Sequence, residues 1–190
     1  MRVTRAQAAE NRQNVIDVAS RLFREHGFDG IGLKDLMEGA GMTQGAFYKQ
    51  FASKEDLVAQ ASARALEYAM RRWSDAAAAE DPLGAVIAFY LTKGHREAKM
   101  EGCPLVALGA DAARQSAEVK ASFESGIREH LRVLSRLIPK ADSEEKREKA
   151  MAILSTMVGA LTLSRVVNDP RLAQSFLDAA AKSVREVASS

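Results

Sequence analysis

The chain has 190 residues, enough for one or two domains around a buried core. Hydrophobic residues at 47% and charged residues at 27% give an ordinary globular balance, and a formal net charge of +2 implies no polyanion partner by itself. The single cysteine, Cys103, excludes an internal disulfide framework and fits a reducing compartment. The N-terminal MRVTRAQAAENRQ lacks the apolar run of a secretory signal, and no stretch is read as reaching the roughly 18 apolar residues of a membrane span. A cytoplasmic location without membrane contact is the expectation.

Nearly every segment has helical periodicity. In NVIDVASRLFREHG, the side chains of Val15, Ile16, Ala19, Leu22, Phe23 and His26 make one apolar stripe, and Gly27 follows as a helix stop. The next helix, LKDLMEGA, buries Leu33, Leu36 and Met37 and stops at Gly41. A further helix is expected after Met42, with Thr43 as its N-cap. Ser53 and Asp56 form a capping box for a long helix running through LVAQASARALEYAMRRW. Asp81-Pro82 restarts the chain as PLGAVIAFYLTKGHREAK, and Cys103-Pro104 opens the short LVALGADAARQ. Two long helices follow, roughly 117–138 and 143–168, separated by Pro139 with Ser143 as the cap of the second. Asp169-Pro170 starts the last helix. There is no β alternation, internal repeat or low-complexity tract. The fold class is all-α.

Residues 33–51 have the layout of a helix-turn-helix, with Gly41 in the turn. Ala46, Phe47 and Phe51 can pack inward, leaving Gln44, Gly45, Tyr48 and Lys49 outside. Glutamine suits adenine and lysine suits guanine or phosphate in a DNA major groove. The hydroxyls of Tyr48 and Thr43 suit phosphate, and Gly45 permits close approach. The same pattern also describes a tight αα-hairpin with solvated polar residues, so periodicity leaves both readings open. Residues 1–60 carry as many acidic as basic side chains, so a nucleic-acid role rests on where charges sit.

The segment RQNVIDVASRLFREHGFDGIGLKDLMEGAGMTQGAFYKQFASKEDL resembles the DNA-binding domain of the TetR family of transcriptional repressors. The resemblance rests on the apolar first helix ending in Phe-x-x-x-Gly-Phe, the Ala-Gly-Met turn, Gly-Ala-Phe-Tyr and Phe-x-Ser-Lys-Glu, about a quarter of the chain. It implies an N-terminal helix-turn-helix three-helix domain over 1–52. A helical effector-binding and dimerisation domain would follow over 53–190, joined by the helix from residue 53. It also implies that Thr43, Gln44, Gly45, Tyr48 and Lys49 face DNA and that Lys54 holds a phosphate. Gly32 stands where the family commonly has a capping Thr or Ser, which removes one phosphate-binding hydroxyl. Arg2 and Arg5 precede the first helix and can reach DNA, although such arms are as often disordered.

Residues 80–190 match the family only in layout. The resemblance implies a homodimer on a palindromic operator, released by a small, apolar or electrophilic effector. Met151, Leu154, Met157, Val158, Leu161, Leu172, Phe176 and Ala180 are the candidate dimer contacts, although each stripe alone reads equally as internal core. Central apolar and aromatic positions give a candidate effector pocket of Trp73, Phe89, Tyr90, Cys103, Leu108, Phe123, Leu131, Met157 and Leu161. Few polar residues lie on the inner stripes, which favours an apolar effector over a sugar or nucleotide. Cys103 is either an electrophile or oxidant sensor activated at a helix N-terminus or a small buried hydrophobe. His26, His95 and His130 are dispersed, and no phosphate loop, metal-ligand spacing or nucleophile motif appears. No enzymatic activity, cofactor or metal is expected. A helical adaptor without DNA would explain the periodicity but leave Gln44, Tyr48 and Lys49 unexplained.

Overall fold

The computed structural model describes residues 4–139 and 142–190. Among these residues there are nine α-helices, one 3-10 helix and no strand. The order is α1 (Arg5–His26), α2 (Leu33–Gly39), the 3-10 helix (Gln44–Lys49), α3 (Lys54–Ala77), α4 (Pro82–Tyr90) and α5 (Lys93–Glu97). Then come α6 (Pro104–Ala112), α7 (Ala117–Leu137), α8 (Ser143–Val166) and α9 (Pro170–Ser189). Arg2 lies outside the described residues.

The boundaries follow local chemistry. Thr4 accepts from the Gln7 N–H at the start of α1, and Asp81 accepts from Gly84 ahead of Pro82. The expected capping box forms: Ser53 Oγ accepts from the Asp56 N–H at 3.1 Å, and Asp56 reaches back to the Ala52 N–H at 3.1 Å. Three expectations need correction. The segment after Pro82 is not one helix, because Leu91 leaves helical geometry and Thr92 caps a separate α5 through the His95 N–H. α8 is capped by Asp142 rather than Ser143, its carboxylate accepting from Glu144 and Glu145. The segment after Met42 is a 3-10 helix of six residues rather than an α-helix.

Two apolar clusters divide the interior. The first joins α1, α2 and the 3-10 helix to the start of α3, with Leu108 and Ala112 of α6 and Val119 and Phe123 of α7 closing it. The second fills the distal bundle around Trp73, Tyr90, Leu134, Met157 and Leu177. α3, α6 and α7 therefore belong to both halves, and α6 is the shortest bridge.

α8 also departs from the expectation about membrane spans. It contains an apolar 18-residue window long enough to cross a bilayer, only a third of which is buried within the chain. One side packs on α7 and α9. The other side leaves Met151, Leu163 and Val166 exposed, Val166 at 70%.

Candidate nucleic-acid interface and effector cleft

The turn before the 3-10 helix is built by hydrogen bonds. Gly41, at φ 70°, donates from its N–H to the Glu38 carbonyl at 2.9 Å, and Met42 donates to Met37 at 2.8 Å. This paired closure of α2 requires the left-handed residue that glycine supplies at little cost. Asn14 of α1 donates to the Ala40 carbonyl at 2.9 Å, pinning the turn from below.

The six-residue helix then stands on aromatic supports. Phe47 is fully buried and stacks on Phe51 with centroids 5.4 Å apart, and Tyr48 meets Phe47 edge-on at 5.2 Å. Arg12 locks the exit: its Nε donates to the Gln50 carbonyl, its terminal nitrogen to Gln60, and its guanidinium lies 4.9 Å from the Phe51 ring. Motif reading missed Arg12 and Asn14 because their roles depend on partners at least 26 residues away.

All five outward candidates, Thr43, Gln44, Gly45, Tyr48 and Lys49, are exposed on this rigid support, and Tyr48 is 68% exposed. The Thr43 hydroxyl makes no capping hydrogen bond, so its donor is uncommitted. A Cβ built on Gly45 would meet nothing within 4 Å, and its φ is not left-handed. The protein itself therefore has no steric need for glycine there. Lys54 differs from the others. It is half-buried, and its Nζ donates to the Ile31 carbonyl at 2.8 Å, leaving two of its three N–H donors uncommitted. Arg5, at the first residue of α1, is exposed.

An open cleft of about 700 Å³ lies between α6, α7 and α8, where the two clusters meet. Leu105 and Gly109 of α6, Phe123 and Ile127 of α7 and Leu154 and Val158 of α8 give it apolar walls, with Lys120 and Glu124 at the edge. Of the nine sequence-predicted pocket residues, only Phe123 lines it. Trp73 is closed in by edge-on contacts with Phe89, Tyr90 and His130, and Met157 and Leu161 are fully buried. Leu108 belongs to the proximal core and Leu131 faces a neighbouring groove. The reason is geometric: large central side chains fill space, and the cleft opens where Gly109 and Ala112 leave it unfilled.

The candidate dimer contacts divide in the same way. Met157, Leu161 and Ala180 are core residues, and Leu154 is 7% exposed at the cleft. Met151 and Leu172 are exposed, and Val158 and Phe176 are half-buried. Leu163 and Val166 complete the outer apolar face and were not among the expected contacts.

Cys103 sits at the N-cap of α6, as its Cys-Pro sequence suggested. Its backbone N–H donates to His95 Nε2 at 2.9 Å, while His95 Nδ1–H donates to the Tyr90 carbonyl at 2.7 Å. Accepting from Cys103 requires a neutral imidazole; the bond to Tyr90 favours the charged one, but burial outweighs it and lowers the pKa to about 4. The Cys103 thiol is buried, and desolvation raises its pKa despite the opposing effects of the Tyr90 hydroxyl and Arg165. The helix dipole does not overcome that burial. Cys103 is a protonated, inaccessible core thiol, which removes the ground for an electrophile sensor.

Two contacts tie α6 to the N-terminal helices. Arg24, buried at 5% exposure, donates to the Gly102 carbonyl at 3.1 Å just before α6. At its far end, Asp111 accepts from the Phe28 N–H at 3.2 Å. Exposed Arg21 adds an ion pair to Glu101 at 2.5 Å.

Residues 15–61 match the family model for bacterial regulatory proteins, tetR family. The regulator AcrR of Shigella flexneri is 41% identical over 59 residues, 31% of this chain and 27% of AcrR. This chain thus aligns with about a quarter of AcrR's length. LmrA of Bacillus subtilis, also a transcriptional regulator, is 25% identical over 162 residues, covering 82% of this chain and 86% of LmrA. Among solved structures, a TetR-family regulator from Cytophaga hutchinsonii superposes with a TM-score of 0.81 at 18% identity, covering 96% of this chain and 95% of that one. The reduced form of NemR from E. coli superposes with a TM-score of 0.77 at 20% identity, covering 93% and 96%. At these identities the structural likeness concerns the fold.

Proposed function

From the premise that this chain belongs to the TetR family of bacterial transcriptional regulators, we propose that it is a cytoplasmic, ligand-responsive repressor. It binds a palindromic DNA operator as a homodimer. The observation that carries the reading is the uncommitted row of Thr43, Gln44, Gly45, Tyr48 and Lys49 on an anchored 3-10 helix, with empty space over Gly45. Gln44 and Lys49 would read base edges, while Thr43, Tyr48 and Lys54 hold phosphates, with Arg5 and Arg2 extending the contact from the N-terminus. A unit of residues 1–52, with Lys54 at the start of the linking helix, thus contacts DNA, and 53–190 senses and dimerises.

One short recognition helix covers only a few base pairs, so two copies are required about 34–36 Å apart. The outer apolar face of α8 and α9, where Met151, Leu163, Val166 and Leu172 are exposed, supports pairing there. An effector in the cleft pushes on α6, the same helix that grips Arg24 and Phe28. If the effector prefers the arrangement in which the recognition helices no longer match the operator, it shifts the population off DNA. Burial of Cys103 favours a non-covalent apolar effector over an electrophile.

Selection of bound duplexes from random DNA tests the reading. We expect a two-fold symmetric sequence with strongly salt-dependent affinity. Recovery of no preferred sequence would retire the repressor in favour of a helical adaptor.

A further inference from the structure

Beside the apolar cleft lies a second groove, of about 670 Å³, whose lining charges are all positive. Arg128, Arg132 and Arg136 recur every four residues along α7, and Lys146 and Arg147 face them from the first turns of α8. Arg128 pairs with Glu124 at 2.5 Å, and Arg132 pairs with Glu129. Arg136, Lys146 and Arg147 have no carboxylate within ion-pair distance among the described residues, although α8 carries Glu144, Glu145 and Glu148 nearby. Glu145 is occupied by Lys149 at 2.7 Å. The hydroxyls of Ser135 and Ser143 add neutral donors at the same place.

The two hollows lie end to end along α7 and together make a seam. α7 contributes Lys120 to Ile127 to the apolar cleft and Arg128 to Arg136 to the basic groove, without a gap. α8 runs the opposite way, giving Ser143, Lys146 and Arg147 to the basic end and Leu154, Ser155 and Val158 to the apolar end, with residues 148–153 lining neither. From Lys120 to Arg136 the seam is about 24 Å long at about 1.5 Å per residue. Its apolar end touches α6, and its basic end lies at the far end of α7, away from the N-terminal core.

We infer that the seam takes an amphiphile with a phosphorylated head: an apolar chain or ring system against Phe123, Leu154 and Val158, and two or more linked phosphates among Arg136, Lys146 and Arg147. This rests on the effector reading above and narrows it, since apolar character alone disfavoured only a sugar or nucleotide. Three unpaired cations facing one hollow repel one another, and a multiply charged anion relieves that repulsion while two guanidinium forks engage its oxygens. The apolar body positions the head, so the two halves reinforce each other through effective concentration.

Calorimetric titration of the full chain with farnesyl diphosphate, farnesol and inorganic pyrophosphate tests the inference. We expect farnesyl diphosphate to bind at least about 10-fold more tightly than either half alone. In R136A/K146A/R147A, three surface changes checked for an unaltered melting temperature, its affinity falls to within about 2-fold of farnesol, while farnesol is unaffected. V158E reverses the pattern, abolishing farnesol binding and retaining pyrophosphate. Equal affinity for farnesyl diphosphate and farnesol in the unmodified chain overturns the inference. So does an advantage that survives in the triple variant. Capture of the chain by anionic lipid vesicles, without binding of soluble farnesyl diphosphate, also overturns it and marks the groove as a membrane-surface patch. If farnesol releases operator DNA but the phosphorylated advantage is missing, only this inference fails. If the chain binds no selected operator at all, the effector reading fails first.

Discussion

His95 gives a quantitative test of how the chain is held at the entrance to α6. Its ring joins α4 to α6: Nδ1–H donates to the Tyr90 carbonyl and Nε2 accepts from Cys103. A proton on Nε2 would turn that acceptor into a donor facing another N–H, inside a desolvated site that also faces Arg165 and Arg72. The folded-state pKa is therefore lowered from 6.5 to about 4. The sign follows directly. Below about 6.5 the unfolded chain takes up a proton that the folded chain refuses, so stability falls as pH drops and levels off only below about 4. The separation corresponds to about 3 kcal/mol in full, of which about 2 kcal/mol is lost between pH 7 and pH 5. His95→Gln keeps an acceptor toward Cys103 but cannot titrate. At pH 7 the variant should be about 1–2 kcal/mol less stable through the lost bond to Tyr90. At pH 5 that deficit should vanish or reverse. Urea unfolding of both proteins at the two pH values reads this as a change of about 1 M in their relative midpoints. His130, whose pKa is also lowered by burial, is common to both and cancels. A deficit that stays constant from pH 7 to pH 5 would refute the neutral, desolvated His95.

Further outcomes are expected. Gly45→Ala should leave the fold as stable or up to about 1 kcal/mol more stable, since no atom lies within 4 Å of the added methyl, yet weaken operator binding at least about 10-fold; thermal melts and gel-shift titrations on one preparation check both. Lys54→Met should lower the slope of log affinity against log salt by about one unit for every duplex tested, whereas Lys49→Ala should relax base preference at one position. Gly126→Ala should cost about 1–3 kcal/mol in chemical unfolding, because its methyl would fall 2.6 Å from the buried Leu66 Cδ2 where α7 crosses α3. Val166→Asp, at a site 70% exposed, should leave the monomer folded and shift the dimer equilibrium toward monomer in sedimentation velocity.

Four helix starts were legible because each is written by a local pair: Ser53 with Asp56, Asp81 with Pro82, Cys103 with Pro104, Asp169 with Pro170. So was the row from Thr43 to Lys49, since Phe47 and Phe51 fix the inward face of a short segment. The 3-10 geometry was not legible, because six residues hold too few turns to separate periods of 3.0 and 3.6. The break at Leu91–Thr92 carries no proline or glycine, and it becomes visible only through the Thr92 cap. The dimer and cleft assignments strayed for one physical reason. α8 is apolar around most of its circumference, so composition cannot say that Met157 and Leu161 face the core while Met151 and Val166 face outward. The cleft followed small residues, Gly109 and Ala112, rather than the aromatic ones that sequence reasoning favoured.

The most direct measurement of the central claim is affinity for a selected operator against the same operator with half a helical turn, about 5 base pairs, inserted between its half-sites. Two recognition helices fixed on one dimer cannot meet half-sites on opposite faces of the duplex. We expect the insertion to reduce affinity to that of unrelated DNA and a full-turn insertion to restore part of it only if the distal bundle can open. Unchanged affinity after the half-turn insertion would contradict a paired, operator-reading dimer.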